Sequence, residues 1–232
     1  MKQLLLPYVL PLIGFVNRLI NPIANHKNIL TSTNPLSRKF GIDRGTPIDR
    51  YYIDKFIQEN GAFIKGRCLE IDDNRYTTKY GTGVVVSDVL DVVETNRNAN
   101  IIGDLRHVPQ IKSDTYDCII LTQVLGMIDD LDATISELHR ILKKGGVLLI
   151  TTSALSPCVS YDLSFWRFTV PSLRYILTKK FDKKDISVTS YGNALTSQLF
   201  YIGGVQEDIT PEQLNVNDRV FPTLIVAKGV KS

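Results

Sequence analysis

Five hydrogen-bond acceptors stand at or near the ends of four short apolar runs: Glu70 and Asp72 in Cys68–Asp72, Asp88 in Val84–Asp88, Asp104 in Ile101–Asp104 and Gln123 in Cys118–Gln123. Carboxylates and a carboxamide oxygen accept from hydroxyls and amines, and carboxylates also attract cations. Brought to one crevice, these groups suit a ligand that offers hydroxyls, an exocyclic amine and a positive charge. The runs themselves supply the means. Short β-branched stretches without alternation read as strands buried on both faces, as in a parallel sheet. Ligands of open α/β sheets bind at the carboxyl ends of the strands, which is where these acceptors fall.

The intervening stretches read as helices. Thr46 can cap a helix, Pro47 suits its first position and Asp49 favours its positive end, with Asn60-Gly61 as the stop. A polar loop is expected from Asp72 to Gly83. A helix over about 132–143 points Ile135, Leu138 and Leu142 inward and ends at Gly145, and a fifth strand follows over 147–151. Further helices are expected over 171–178 and 193–201, and further strands over 186–189 and 223–227. Such alternation predicts a doubly wound sheet.

Length and composition are compatible with this. A chain of 232 residues with 44% hydrophobic content can bury one α/β core with extensions. The net charge of +3 is only mildly basic. The Lys179-Lys180 and Lys183-Lys184 pairs read as a solvated face, so no nucleic-acid partner is expected. The three cysteines, Cys68, Cys118 and Cys158, form no CxxC and no cluster with histidine. No metal site is expected, and a reducing, cytoplasmic setting is the default. Residues 1–39 read as an N-terminal extension and 40–232 as the domain. Leu4 to Val16 is apolar but interrupted by Pro7 and Pro11, too short to span a bilayer that needs ~20 residues. Packing on the domain, peripheral membrane contact or a signal peptide are the readings open to it.

Several blocks resemble class I S-adenosylmethionine-dependent methyltransferases. Leu138–Ile150 is similar to their helix–turn–strand, Tyr116–Ile120 to their fourth strand, and Trp166-Arg167-Phe168-Thr169 to the "WRfT" block of the type-11-like branch. Phe40–Tyr52, Leu121-Thr122-Gln123, Ser190–Asn193 and Glu207–Leu214 resemble a subgroup associated with glycosyltransferases and surface-glycan synthesis. The resemblance implies a Rossmann-like, mostly parallel seven-stranded sheet with helices on both faces and an antiparallel C-terminal strand. It implies S-adenosylmethionine as cofactor, which offers the hydroxyls, amine and cation named above.

It also implies roles. Asp88, followed by Val89, is expected at the end of the second strand on the ribose diol. Asp104 and Leu105 would meet the adenine, Glu70 would anchor the first loop and the cofactor ammonium, and Gln123 would face the methionine part or the acceptor. The superfamily's first loop is glycine-rich, whereas here Asp72 and Asn74 replace two glycines. Asp tolerates left-handed backbone angles, so the turn can survive. Asn74 and Tyr76 match the subgroup's polar loop. Arg44, Arg50 and Tyr51 precede the first strand, and an arginine there could pair with the cofactor carboxylate. On the acceptor side, Asp162 is the first candidate for catalytic base and His107 the second, with Tyr161, Trp166 and Arg167 as substrate contacts. The expected reaction is O-methylation of a sugar hydroxyl of a surface glycan or its precursor, with a glycosyltransferase as a further partner. The competing readings are methylation of another small molecule, a non-catalytic module with a degenerate first loop, and a dehydrogenase, which the missing G-x-G-x-x-G disfavours.

Overall fold

A computed structural model describes Val16 and residues 32–232. The apolar stretch from Leu4, apart from Val16, lies outside the described residues. Chain contacts divide the molecule into two units.

The larger unit comprises Ile53–Ala154, Asp162–Ser190 and Leu224–Ser232. It carries a seven-stranded sheet ordered β3-β2-β1-β4-β5-β7-β6. The strands are β1 Gly66–Ile71, β2 Val84–Asp91, β3 Ile101–Ile102, β4 Tyr116–Thr122, β5 Leu142–Ser153, β6 Ile186–Tyr191 and β7 Leu224–Val230. β1 pairs in parallel with β2 and β4, β2 with β3, and β4 with β5. β7 runs antiparallel to β5. The chain therefore leaves β1 in one direction toward β3 and resumes in the other from β4, which puts the topological switch between β1 and β4. The connecting helices are α2 (Arg75–Tyr80), between β1 and β2, and α3 (Leu131–Ile141), between β4 and β5; right-handed crossovers in opposite directions put such helices on opposite faces of a sheet.

The central strands are buried because they are apolar on both sides: Ile119, Ile120, Leu121, Leu148, Leu149 and Ile150 have no exposed surface. Cys68 and Cys118 are register partners on β1 and β4 and are buried free thiols. α3 starts where the Asp130 carboxylate accepts from the Ala133 amide at 2.9 Å and buries Leu131, Ile135, Leu138 and Ile141. The next helix, α4 (Val170–Leu177), is opened by a capping box of Thr169 and Ser172.

Three expectations change. β2 runs three residues past Asp88 to Asp91. Gly145 does not end a helix: α3 passes into extended backbone at Leu142, and β5 takes in Lys143 to Gly146, with a register shift against β4. The loop after β1 contains α2, whose N-terminal amides are held by a residue of β1 rather than by a local cap.

The smaller unit comprises the residues up to Tyr52, Leu155–Tyr161 and Tyr191–Thr223. The helix α1 (Ile48–Glu59) ends before the predicted Asn60-Gly61 stop but begins one residue later than predicted, because Pro47 is a bridge partner of Val205 rather than the first helical residue. Asn193 opens α5 (Ala194–Ile202) by accepting from the amides of Leu195 and Thr196, and Gly203, at φ 81°, ends it. Thr210 caps α6 (Pro211–Asn215).

Candidate active site

The strands flanking the switch point both end in a left-handed residue that is not glycine. Asp72, after β1, has φ 73°, and Gln123, after β4, has φ 60°. Such angles cost an L-residue about 1–2 kcal/mol and turn the chain sharply where a ligand approaches. Asp72 thus keeps the turn that glycine makes elsewhere. Its amide donates to the Leu90 carbonyl at 3.2 Å. Gln123 is held by its amide on the Thr151 carbonyl at 2.8 Å and by the Ser153 hydroxyl, which donates to Oε1 at 3.1 Å.

Glu70 sits two residues before the turn and is 1% exposed. Its carboxylate accepts from the amides of Tyr76 at 3.1 Å and Thr77 at 2.9 Å. These are N-terminal amides of α2 that have no partner within the helix, and Asn74, at the capping position, makes no cap bond. Asn74 instead donates to the Ser87 hydroxyl at 3.2 Å, and Tyr76 is buried. Glu70 therefore holds the start of α2 after β1. Burial raises its pKa to about 7, against the lowering effect of the two amides.

Asp88 is not at a strand end. It lies opposite Leu69 in the middle of the β1–β2 ladder and is 4% exposed. Arg67 Nε donates to it at 2.7 Å, Asn100 Nδ2 at 2.7 Å and the Tyr116 hydroxyl at 3.2 Å. Burial and the neighbouring Asp88 charge raise the Tyr116 pKa. These partners hold Asp88 within the sheet, so it does not occupy the ribose position predicted for it. Val89 is buried beside it, with its amide on Asn100 Oδ1 at 2.7 Å.

The acid at the end of β2 is Asp91. The ladder pairs Ile71 with Leu90, so Asp91 stands one step further, level with the Asp72 turn. Its Oδ1 accepts from the Val93 amide at 3.0 Å and its Oδ2 from Asn96 at 2.5 Å. A carboxylate has about four acceptor positions, which leaves capacity for a ligand's hydroxyls. The sequence did carry a signal for Asp91, because the apolar run resumes at Val89-Leu90 after the charged residue taken as its end. Asn96 had none.

Asp104 follows β3 and is half-exposed. Arg106 donates to it from its amide at 2.8 Å and from its guanidinium, and holds its carboxyl below the usual range. Leu105 packs into the core at 4% exposure, so its side chain does not flank a ligand. His107 is exposed and bridges Asp104 only through backbone.

Beyond β5, Asp162 lies exposed in a short turn over Tyr161–Leu163, and Tyr161 is 84% exposed. The Trp166 amide donates to the Gly126 carbonyl at 3.1 Å and its indole N–H to that of Ile128 at 2.8 Å. This pins a half-exposed indole to the segment that leaves β4. Arg167 donates to the Trp166 carbonyl at 2.8 Å.

In the smaller unit, Arg44 is buried in a bidentate pair with Asp208, at 2.8 and 3.3 Å, and also donates to the Gly203 carbonyl. That engagement takes the guanidinium away from the carboxylate-binding role predicted for it. The Tyr51 hydroxyl donates to Asn215 Oδ1 at 2.8 Å, and Arg50 is half-buried on α1. Among the described residues, no group of three or more His, Cys, Asp or Glu could hold a metal ion, and no helix is long and apolar enough to cross a membrane.

Residues 34–187 match a family model described as a methyltransferase domain. Among curated proteins, a reducing polyketide synthase, AFT16-1, of Alternaria alternata is 32% identical over 117 residues, 44% of this chain. The aligned part spans about 5% of that protein's length. Solved structures share the fold. An S-adenosylmethionine-dependent methyltransferase from Thermotoga maritima superposes with a TM-score of 0.54 at 18% identity, covering 80% of this chain and 92% of that one. Phosphoethanolamine N-methyltransferase 2 of Haemonchus contortus, solved with S-adenosyl-L-methionine, gives 0.54 at 15% identity over 78% of this chain and 52% of that one. A methyltransferase from Archaeoglobus fulgidus gives 0.51 at 14% identity, with 78% and 90% covered.

Proposed function

We propose that this chain, which belongs to the methyltransferase-domain family, methylates a hydroxyl of a carbohydrate. It is an S-adenosylmethionine-dependent methyltransferase. The residues at the carboxyl ends of β2 and β3 fit that cofactor by their chemistry: Asp91 and Asp104 are acceptors, and the nearby guanidiniums of Arg75 and Arg106 are paired, with Asp73 and with Asp104 and Asp129. When bound, S-adenosylmethionine supplies a methyl group made electrophilic by its sulfonium. Asp91 accepts from the ribose hydroxyls, Asp104 from the adenine amine, and Gln123 orients the methionine part or the acceptor. Glu70 holds the first loop in place.

The sugar acceptor is supported by one observation above all. The segment leaving β5 presents an exposed carboxylate, Asp162, four residues from a pinned and half-exposed indole, Trp166. An indole face takes the apolar face of a pyranose. A carboxylate can hold the proton that an alcohol loses on becoming an ether. Positioning supplies much of the acceleration in such a transfer, and Trp166 and Arg167 serve it. The acceptor is a surface glycan or precursor, and a glycosyltransferase that builds it is the matching partner.

The experiment is to offer methyl-labelled S-adenosylmethionine with a panel of synthetic oligosaccharides and small-molecule amines and alcohols. Label transferred to a sugar hydroxyl is expected. Transfer only to an amine, or to none while the cofactor binds, overturns the sugar reading.

A further inference from the structure

A groove of about 570 Å³ lies between the start of α3 and the exposed side of α4. Its volume is in the range of small-molecule sites. Trp166 forms one wall, 44% exposed, with its indole N–H engaged by Ile128, so carbon and π surface are what it offers. Tyr175 of α4 lines the groove too and is 67% exposed. The two aromatic side chains line one concave site, an arrangement that can meet the apolar face of a ligand.

The charges decide what that is. Asp129, Asp130 and Asp132 stand on the α3 side. Against them are Arg106, paired with Asp129 at 2.8 Å, Lys179, paired with Asp132 at 2.5 Å, and Arg167. Each of the three carboxylates is already engaged, Asp129 by Arg106, which stands outside the groove, Asp132 by Lys179 and Asp130 by the Ala133 amide, so a charged ligand meets no uncommitted carboxylate. Lys179 also sits 5.3 Å over the Tyr175 ring, where a bound cation would have to displace it. The Lys179–Asp132 pair is solvent-exposed on both sides, and exposed pairs contribute about 0–1 kcal/mol. It can re-pair with hydroxyls at small cost, Lys179 donating and Asp132 accepting.

We infer that this groove is a glycan subsite: it binds a neutral sugar unit of the acceptor beyond the one that is methylated, stacked on Tyr175 and bordered by Trp166, whose ring also meets the methylated unit. The assignment rests on the sugar reading of the acceptor. Trp166 joins the two places, because its backbone and indole are fastened to the segment leaving β4 while its ring faces the groove.

Trp166 is the chain's single tryptophan, so its fluorescence reports on the groove directly. The test titrates the full chain with neutral mono- to tetrasaccharides of hexoses and 6-deoxyhexoses, with tetramethylammonium and inorganic phosphate as controls. The expected result is a saturable emission change with oligosaccharides, stronger for tetra- than for monosaccharides. Tyr175→Ala is expected to weaken tetrasaccharide affinity about tenfold and to leave monosaccharide and S-adenosylmethionine affinity, measured by calorimetry, unchanged. Tyr175→Phe keeps the stacking face and should retain binding. Equal binding of tetra- and monosaccharides, no response to any saccharide, or a larger response to tetramethylammonium or phosphate overturns the subsite. Methylation assays separate the two proposals. Unchanged transfer to long and short acceptors in Tyr175→Ala removes the subsite alone, whereas saccharide binding at Trp166 without methyl transfer removes the proposed reaction alone.

Discussion

Asn96 donates its side-chain amide to the Asp91 carboxylate at 2.5 Å, and the same NH2 group reaches the Asp72 carbonyl at 2.7 Å. One side chain thus fastens the end of β2 to the turn after β1 and fixes the orientation of the acid that ends β2. Asp88, three residues earlier on the same strand, is engaged by the sheet itself.

The two acids should therefore separate by mutation. Losing a charged acceptor to a ligand costs about 1.5–3 kcal/mol, so Asp91→Ala is expected to weaken S-adenosylmethionine binding roughly ten- to a hundredfold with little loss of stability. Asp88→Ala strands the buried Tyr116 hydroxyl and should lower stability by about 1–3 kcal/mol, while the folded fraction binds cofactor normally. Calorimetry and urea denaturation of both variants decide it. A cofactor defect confined to Asp88→Ala reverses the assignment.

Asp72 pays a conformational cost for its left-handed angle. Asp72→Gly should raise stability by about 0.5–1 kcal/mol and preserve cofactor affinity, since its carbonyl still accepts from Asn96. Asp72→Val should destabilise by more than 1 kcal/mol, because a β-branched residue tolerates that angle poorly. A large loss of cofactor affinity in Asp72→Gly makes the carboxylate itself a ligand.

Glu70 predicts a pH dependence. Its folded pKa, about 7, lies above the ordinary value of 4.5. Between those values the native state holds the proton and the unfolded state has released it, so stability falls as pH rises through that window. The contribution is fully present below about pH 4.5 and lost above about pH 7, and amounts to at most about 3 kcal/mol. Glu70→Gln removes this slope. Urea midpoints at pH 5 and pH 8 should converge in the variant relative to wild type, and parallel losses in both proteins argue against Glu70 as the source.

For the acceptor, Asp162→Asn should slow methyl transfer by about 10²–10⁴ and leave cofactor affinity intact. His107→Ala, which changes an exposed side chain, should alter turnover less than twofold. A reversal of these effects in single-turnover assays with labelled cofactor moves the base to His107.

The order and type of most elements, though not of α2, were determined by short-range signals in the chain. The Thr46–Asp49 start and Asn60-Gly61 stop bound α1, and the β-branched runs at β1, β2 and β4 read as buried strands because nothing in them alternates. The acid at Asp72 was legible as a turn residue, since tolerance of a left-handed angle is a property of the residue itself. Which acids face a ligand was decided by tertiary structure. Asp88 looks like a strand end until Arg67, Asn100 and Tyr116 are brought around it, and β2 then continues to Asp91. Arg44 looks available until Asp208, 164 residues away, pairs with it. The start of α2 has no local cap and depends on Glu70 across the turn. The physical reason is common to all three. A buried charge is stable only with partners, those partners lie on other strands and loops, and their distance along the chain leaves no periodicity or spacing to read.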